Sequence, residues 1–160
     1  MDEATFELFY KKTARPLWLY LHRVSGDAAL AEDILQESFY RLLRAALANM
    51  DEAQMRAYLY KIATNLLRDY WRGRKREQKF LVENNPEKAA PPDPTENQDL
   101  TRALQALNLQ ERSLLWLAYV EGNEHREIAQ ILSLSEKSIR VLLFRARQKL
   151  AKLLSQEERP

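Results

Sequence analysis

Apolar residues recur along this chain every three or four positions, the spacing that keeps them on one face of a helix, and nowhere alternate at strand spacing over a useful length. The pattern predicts an all-α protein. Near the N-terminus Phe6, Phe9, Leu17, Leu21 and Val24 mark the inner face of a first helix over about 4–23. Pro16 is expected to kink it, because an interior proline lacks the N–H its turn needs and crowds the turn before it. Ser25-Gly26-Asp27 breaks the chain and supplies an N-cap for a second helix over about 27–48. Ala31, Ile34, Leu35, Phe39, Leu42 and Leu43 should face inward there. Asp51 followed by Gln54 is a capping-box pattern that opens a third helix over about 51–72, continuing some way into the basic stretch beyond.

Residues 84–97 interrupt the pattern. They hold Pro86, Pro91, Pro92 and Pro94 and no large apolar side chain, so they read as an extended connector between two helical segments, 1–83 and 98–156. Each segment is near the lower size limit for independent folding and should lean on a partner for full stability. The second segment shows four helical stretches, about 98–107, 109–121, 123–132 and 135–154. Asn108 with Glu111 repeats the capping-box pattern, and Gly122 suits a left-handed helix end.

The last two stretches say most about function. The first is short, with Ile128, Ala129 and Leu132 on one face. After a tight connection, Ser135 is placed to cap a longer helix that buries Ile139, Leu142 or Leu143, Ala146, Leu150 and Leu153. Its other faces carry Lys137, Arg140, Arg145, Arg147, Lys149 and Lys152 against Glu136 alone. Such a pair is either a helix-turn-helix whose second member enters a DNA major groove, or a helical hairpin with a solvated basic face.

Charge changes the picture elsewhere. The net value of +2 is small for a nucleic-acid binder, but it is unevenly spread. Arg68, Arg72, Arg74, Lys75, Arg76 and Lys79 follow one another on the third helix, with Tyr58, Tyr60, Tyr70 and Trp71 on or beside it. Basic side chains neutralise phosphates and aromatic faces stack on unpaired bases, although aromatics on a helix also serve simply as core. The second helix has the opposite sign: Asp33, Gln36, Glu37 and Tyr40 share one face, and Asp27 and Glu32 add to its acidity. That face is either solvated or a protein-docking surface.

Other chemistries find no support. Cysteine is absent, and His22 and His125 lack the spacing of a helical zinc site, so no metal or other cofactor is expected and the chain is not read as an enzyme. The apolar run Leu114–Val120 is too short to cross a bilayer, and the start Met-Asp-Glu has no basic leader region, so no membrane insertion and a cytoplasmic location are expected.

Three motifs then converge. Ala31-Glu-Asp-Ile-Leu-Gln-Glu-Ser-Phe39 resembles the region 2 signature of bacterial RNA polymerase sigma factors. Tyr58-Leu-Tyr-Lys-Ile-Ala-Thr-Asn-Leu66 followed by Arg68-Asp-Tyr-Trp-Arg72 resembles the promoter-opening helix of that region. Gln110-Glu-Arg112, Glu127-Ile-Ala129 and Phe144-Arg-Ala-Arg-Gln-Lys-Leu150 are similar to region 4. With two regions and a short linker, the chain resembles the minimal, extracytoplasmic-function type. The resemblance implies a region 2 domain over 1–83, a linker over 84–97 and a region 4 helix-turn-helix domain over 98–156. It also implies a transcription initiation factor whose partners are core RNA polymerase, promoter DNA and an anti-sigma factor. Carried over by position, Asp33, Gln36 and Glu37 would dock on core polymerase. Tyr58, Asn65, Arg68 and Arg72 would contact the −10 element, with the loop and helix start at about 48–55 capturing an extruded base. Lys137, Ser138, Arg140 and Val141 would meet the −35 element. Some positions depart from the family pattern: Ser133 stands where a turn glycine is usual, Leu142 where a basic and Val141 where a polar residue is common, and Leu107-Asn108 replaces a Leu-Pro pair. The altered recognition helix keeps a second possibility open, a sigma-like decoy that binds an anti-sigma protein without engaging DNA. The retained acidic face and basic run count against it.

Overall fold

A computed structural model of the chain describes residues 2–45, 49–84 and 98–157. Those residues form helices joined by short turns: α1 (Glu3–Ser25), α2 (Ala28–Arg44), α3 (Glu52–Asn84), α4 (Gln98–Ala106), α5 (Leu109–Leu115), a π-helical turn over Trp116–Val120, α6 (His125–Leu132) and α7 (Glu136–Glu157). The connector read at 84–97 lies, beyond Asn84, outside the described residues.

Local chemistry sets most boundaries. Asp2 caps α1 and Asp27 caps α2, each accepting the amide three residues on. Between α1 and α2, Gly26 takes φ +74°, the left-handed conformation that lets its amide close on the His22 carbonyl at 2.7 Å. Asp51 and Gln54 exchange both capping-box bonds, 2.7 and 3.0 Å, as do Asn108 and Glu111 at 2.8 and 2.9 Å. Gly122 is left-handed at φ +66°.

The structure meets some expectations and corrects others. α1 is one helix with Pro16 in its interior, as the span read from the sequence required. α2 stops at Arg44, and Leu43 points outward with 57% of its surface exposed, so the apolar stripe ends at Leu42. α3 continues through the basic stretch, as expected, and ends at Asn84. At α7 the Ser135 carbonyl, not its hydroxyl, receives the Ser138 amide at 3.0 Å and the Ser138 hydroxyl at 2.7 Å.

The core answers the question of how two undersized segments are supported. One continuous cluster joins Leu17, Tyr20, Leu21, Leu59 and Leu67 of the first segment to Leu114, Leu117, Ile128, Ile131 and Ile139 of the second. α3 lies along α6, and α1 meets α5 and the π turn. Fully burying an aliphatic side chain contributes about 1.5–3 kcal/mol, so each half gains from the other what its own size denies it. A smaller cluster of Leu107, Leu115 and Ala146, flanked by Leu104, Leu150 and Leu153, holds α7 to the α4–α5 corner.

Candidate nucleic-acid interface

The acidic face of α2 is presented as its spacing predicted. Asp33, Gln36, Glu37 and Tyr40 are all exposed, because Leu30, Ala31, Ile34, Leu35 and Ser38 take the inner face. Glu37 pairs with Arg41 at 2.9 Å and Gln36 donates to Glu32 at 3.3 Å, both in solvent, so neither is held tightly. Asp27 is different: it caps α2 and meets Arg74 at 3.3 Å, which takes it out of the acidic face.

On α3, Asn65 and Arg72 are exposed and Tyr58 and Arg68 half-buried, along one side of the helix. Leu59, Tyr60, Ala63, Thr64 and Leu67 fill the opposite side. Arg68 is the exception to an open basic face. Its Nη2 donates to the Leu132 carbonyl at 3.0 Å, at the C-terminal end of α6. Trp71 packs against Arg112, whose guanidinium carbon stands 5.3 Å from the ring centroid, so its place is structural rather than a free stacking platform.

On α7, Lys137, Arg140 and Val141 are exposed together, with Phe144 one turn further on. Ser138 is half-buried and its hydroxyl is spent on the Ser135 carbonyl. The tight connection from α6 depends on Ser133 at φ +55°, a left-handed conformation that glycine would adopt at no steric cost. Closing it this way lets Leu134 N–H reach the Ala129 carbonyl at 2.9 Å.

Between these surfaces lies a set of polar contacts that sequence reasoning missed. The chain leaves α5 through the wider π turn, where Glu121 N–H bonds Trp116 O at 3.1 Å, and presents Glu121 and Asn123 to α3. Arg56 bonds Glu121 at 3.0 Å and Asn123 at 3.1 Å, and the Tyr60 hydroxyl donates to Glu121 at 2.6 Å. Burial, reinforced by the Glu121 carboxylate, raises the Tyr60 hydroxyl pKa far above the ordinary phenol range, so Tyr60 stays a donor. Arg112 is 8% exposed, and its guanidinium donates to the carbonyls of Leu107 at 3.1 and 3.0 Å, Gln105 at 3.4 Å and, across the segments, Val24 at 2.8 Å. Burial lowers its pKa, yet a guanidinium remains charged in proteins. Arg112 stood inside a recognised motif, but nothing in its neighbours in sequence signalled burial.

The described residues include no group of three or more histidine, cysteine or acidic side chains able to hold a metal, and no helix long and apolar enough to cross a membrane.

Residues 9–77 match the family model of sigma-70 region 2, and residues 97–150 that of sigma-70 region 4. The chain is 29% identical over 157 residues to the ECF RNA polymerase sigma factor SigM of Bacillus subtilis, covering 93% of this chain and 94% of that one. It is 30% identical over 158 residues to the RNA polymerase sigma factor CarQ of Myxococcus xanthus, covering 96% and 91%. Its fold is similar to the sigma factor RpoE of Bartonella quintana, solved in complex with the anti-sigma factor NepR, at a TM-score of 0.66 and 21% identity over 94% of this chain and 97% of that one.

Proposed function

Because this chain belongs to the extracytoplasmic-function RNA polymerase sigma factors, we propose that it binds core RNA polymerase, directs it to specific promoters and aids their melting. The single observation that carries this is the ordered match to both sigma-70 regions, over 9–77 and 97–150. The segments take separate tasks: 1–83 docks on polymerase and reads the −10 element, 98–156 reads the −35 element, and 84–97 links them. Asp33, Gln36 and Glu37 supply the docking face, supported by their shared exposure on α2. Tyr58, Asn65, Arg68 and Arg72 serve the −10 element, and Lys137, Ser138, Arg140 and Val141 the −35 element. The chain acts in the cytoplasm by binding alone and makes no bond itself. An anti-sigma protein is its natural restraint, in line with the RpoE–NepR complex.

The packed arrangement adds a condition. Arg68 bonds the Leu132 carbonyl and α6 lies along α3, so the second segment covers part of that helix and the two segments must part before α3 reads a promoter along its length. Run-off transcription with core polymerase on a library of promoter fragments tests the function: specific transcripts are expected, and none would sink it. Asp33→Lys with Glu37→Lys should abolish capture by core polymerase while circular dichroism stays unchanged. Undiminished capture of the folded double variant would rule out α2 as the docking face. A chain that binds an anti-sigma protein but never core polymerase would be the decoy instead.

A further inference from the structure

The α4–α5 corner, the outer edge of α3 and the middle of α7 enclose an open cleft of about 530 Å³. Small-molecule sites have volumes of about 300–1,000 Å³ and favour domain interfaces. Arg68 and Arg72 stand one turn apart on one wall, Lys149 on the other and Arg112 at the base, and among the described residues no carboxylate lines the cleft. Glu111 pairs with Lys149 at 3.0 Å but also caps α5. Arg112 is more than nine-tenths buried with carbonyl partners only; among the described residues no carboxylate compensates its charge. Arg68 commits only one of its N–H groups, and Arg72 none among the described residues.

We propose that this cleft binds a small condensed phosphate, either the di- or triphosphate of a nucleotide or the free inorganic chain, which bridges the two segments. Guanidinium forks match phosphate oxygens in pairs. Cations on opposite walls call for several charges on separated oxygens, which a monovalent anion lacks. A ligand seated there holds the segments together and occupies Arg68 and Arg72. If the function proposed above holds, it therefore competes with −10 recognition.

The test titrates the full chain, by calorimetry at fixed ionic strength in EDTA, with inorganic triphosphate and separately with ATP. Saturable binding of one equivalent is expected, with a Kd below about 100 µM. The double variant Arg72→Gln and Lys149→Gln should weaken it at least about tenfold. Lys11→Gln with Lys12→Gln removes the same charge outside the cleft and should leave the affinity within about twofold. Equal affinity for the two ligands assigns a site for the phosphate chain, and tighter ATP a nucleotide site; both support the proposal. Absence of saturable binding overturns it, as does equal weakening by both double variants or binding that survives the cleft variant. No polymerase enters the measurement, so its failure leaves the sigma-factor function standing.

Discussion

α3 and α7 are both long, basic and amphipathic, at 33 and 22 residues, yet they meet their surroundings differently. α7 leaves Lys137, Arg140 and Val141 in solvent, ready for a groove. α3 commits Arg56 to Glu121 and Asn123, and Arg68 to the Leu132 carbonyl, so the second segment covers part of its basic side. A charge pattern tells which side of a helix is polar; it does not tell whether another part of the chain has already claimed it. The difference leaves one basic helix open and the other restrained, and the restraint is built from this chain's own residues.

The hardest blow to this contrast is dealt at Arg112, whose guanidinium reaches from α5 to the Val24 carbonyl. Arg112→Met leaves carbonyls of Leu107 and Val24 buried without their donor, each worth about 1–3 kcal/mol. A loss of about 3 kcal/mol is expected in urea unfolding, within a single transition shared by both segments. Two transitions, with the loss confined to the second segment, would mean that the halves fold separately and α3 is not truly held.

A smaller effect should come from Glu121. Its ion pair with Arg56 and that of Glu37 with Arg41 have nearly the same length, 3.0 and 2.9 Å, but side-chain exposure is 8% for Glu121 and 47% for Glu37. Glu121→Ala strands the buried Tyr60 hydroxyl and should cost about 2 kcal/mol. Glu37→Ala should cost less than about 0.5 kcal/mol. Small-angle scattering should show the Glu121 variant expanded, with its segments parted, and the Glu37 variant unchanged. Equal costs would show that the Glu121 contact does not hold the segments together.

What the sequence made legible follows from the range of each interaction. Asp51–Gln54, Asn108–Glu111, Gly26 and Gly122 were readable because each acts within a few residues, through bonds that any helix end requires. The exposed acidic face of α2 was readable because α2 has one buried side, and its spacing names the other. Leu43 was misplaced because periodicity alone does not say where the neighbouring helix stops covering α2. The end of α3 was left open because a polar, basic run gives no apolar stripe to follow. Arg56–Glu121, Tyr60–Glu121 and Arg112–Val24 join positions 65, 61 and 88 residues apart, and no local pattern announces such meetings. An arginine is ordinarily a surface residue; only a nest of carbonyls assembled by the tertiary fold makes Arg112 a core one.

The finest discrimination compares two single arginines. Arg140 is exposed on α7 and Arg68 is tied to α6. In the chain without polymerase, Arg140→Gln should weaken duplex binding about fivefold, near 1 kcal/mol, and reduce the dependence of log affinity on log salt by about one. Arg68→Gln should change both quantities less, since Arg68 is half-buried on the side of α3 that α6 covers. With core polymerase and promoter DNA the order should reverse: α3 is then freed, and Arg68→Gln should reduce open-complex formation as much as Arg140→Gln or more. Fluorescence anisotropy across a salt series measures the first state, and permanganate footprinting of the melted strand the second. A fivefold loss for Arg68→Gln in the chain alone would mean that α3 already faces DNA in solution, and the contrast between the two helices would fall.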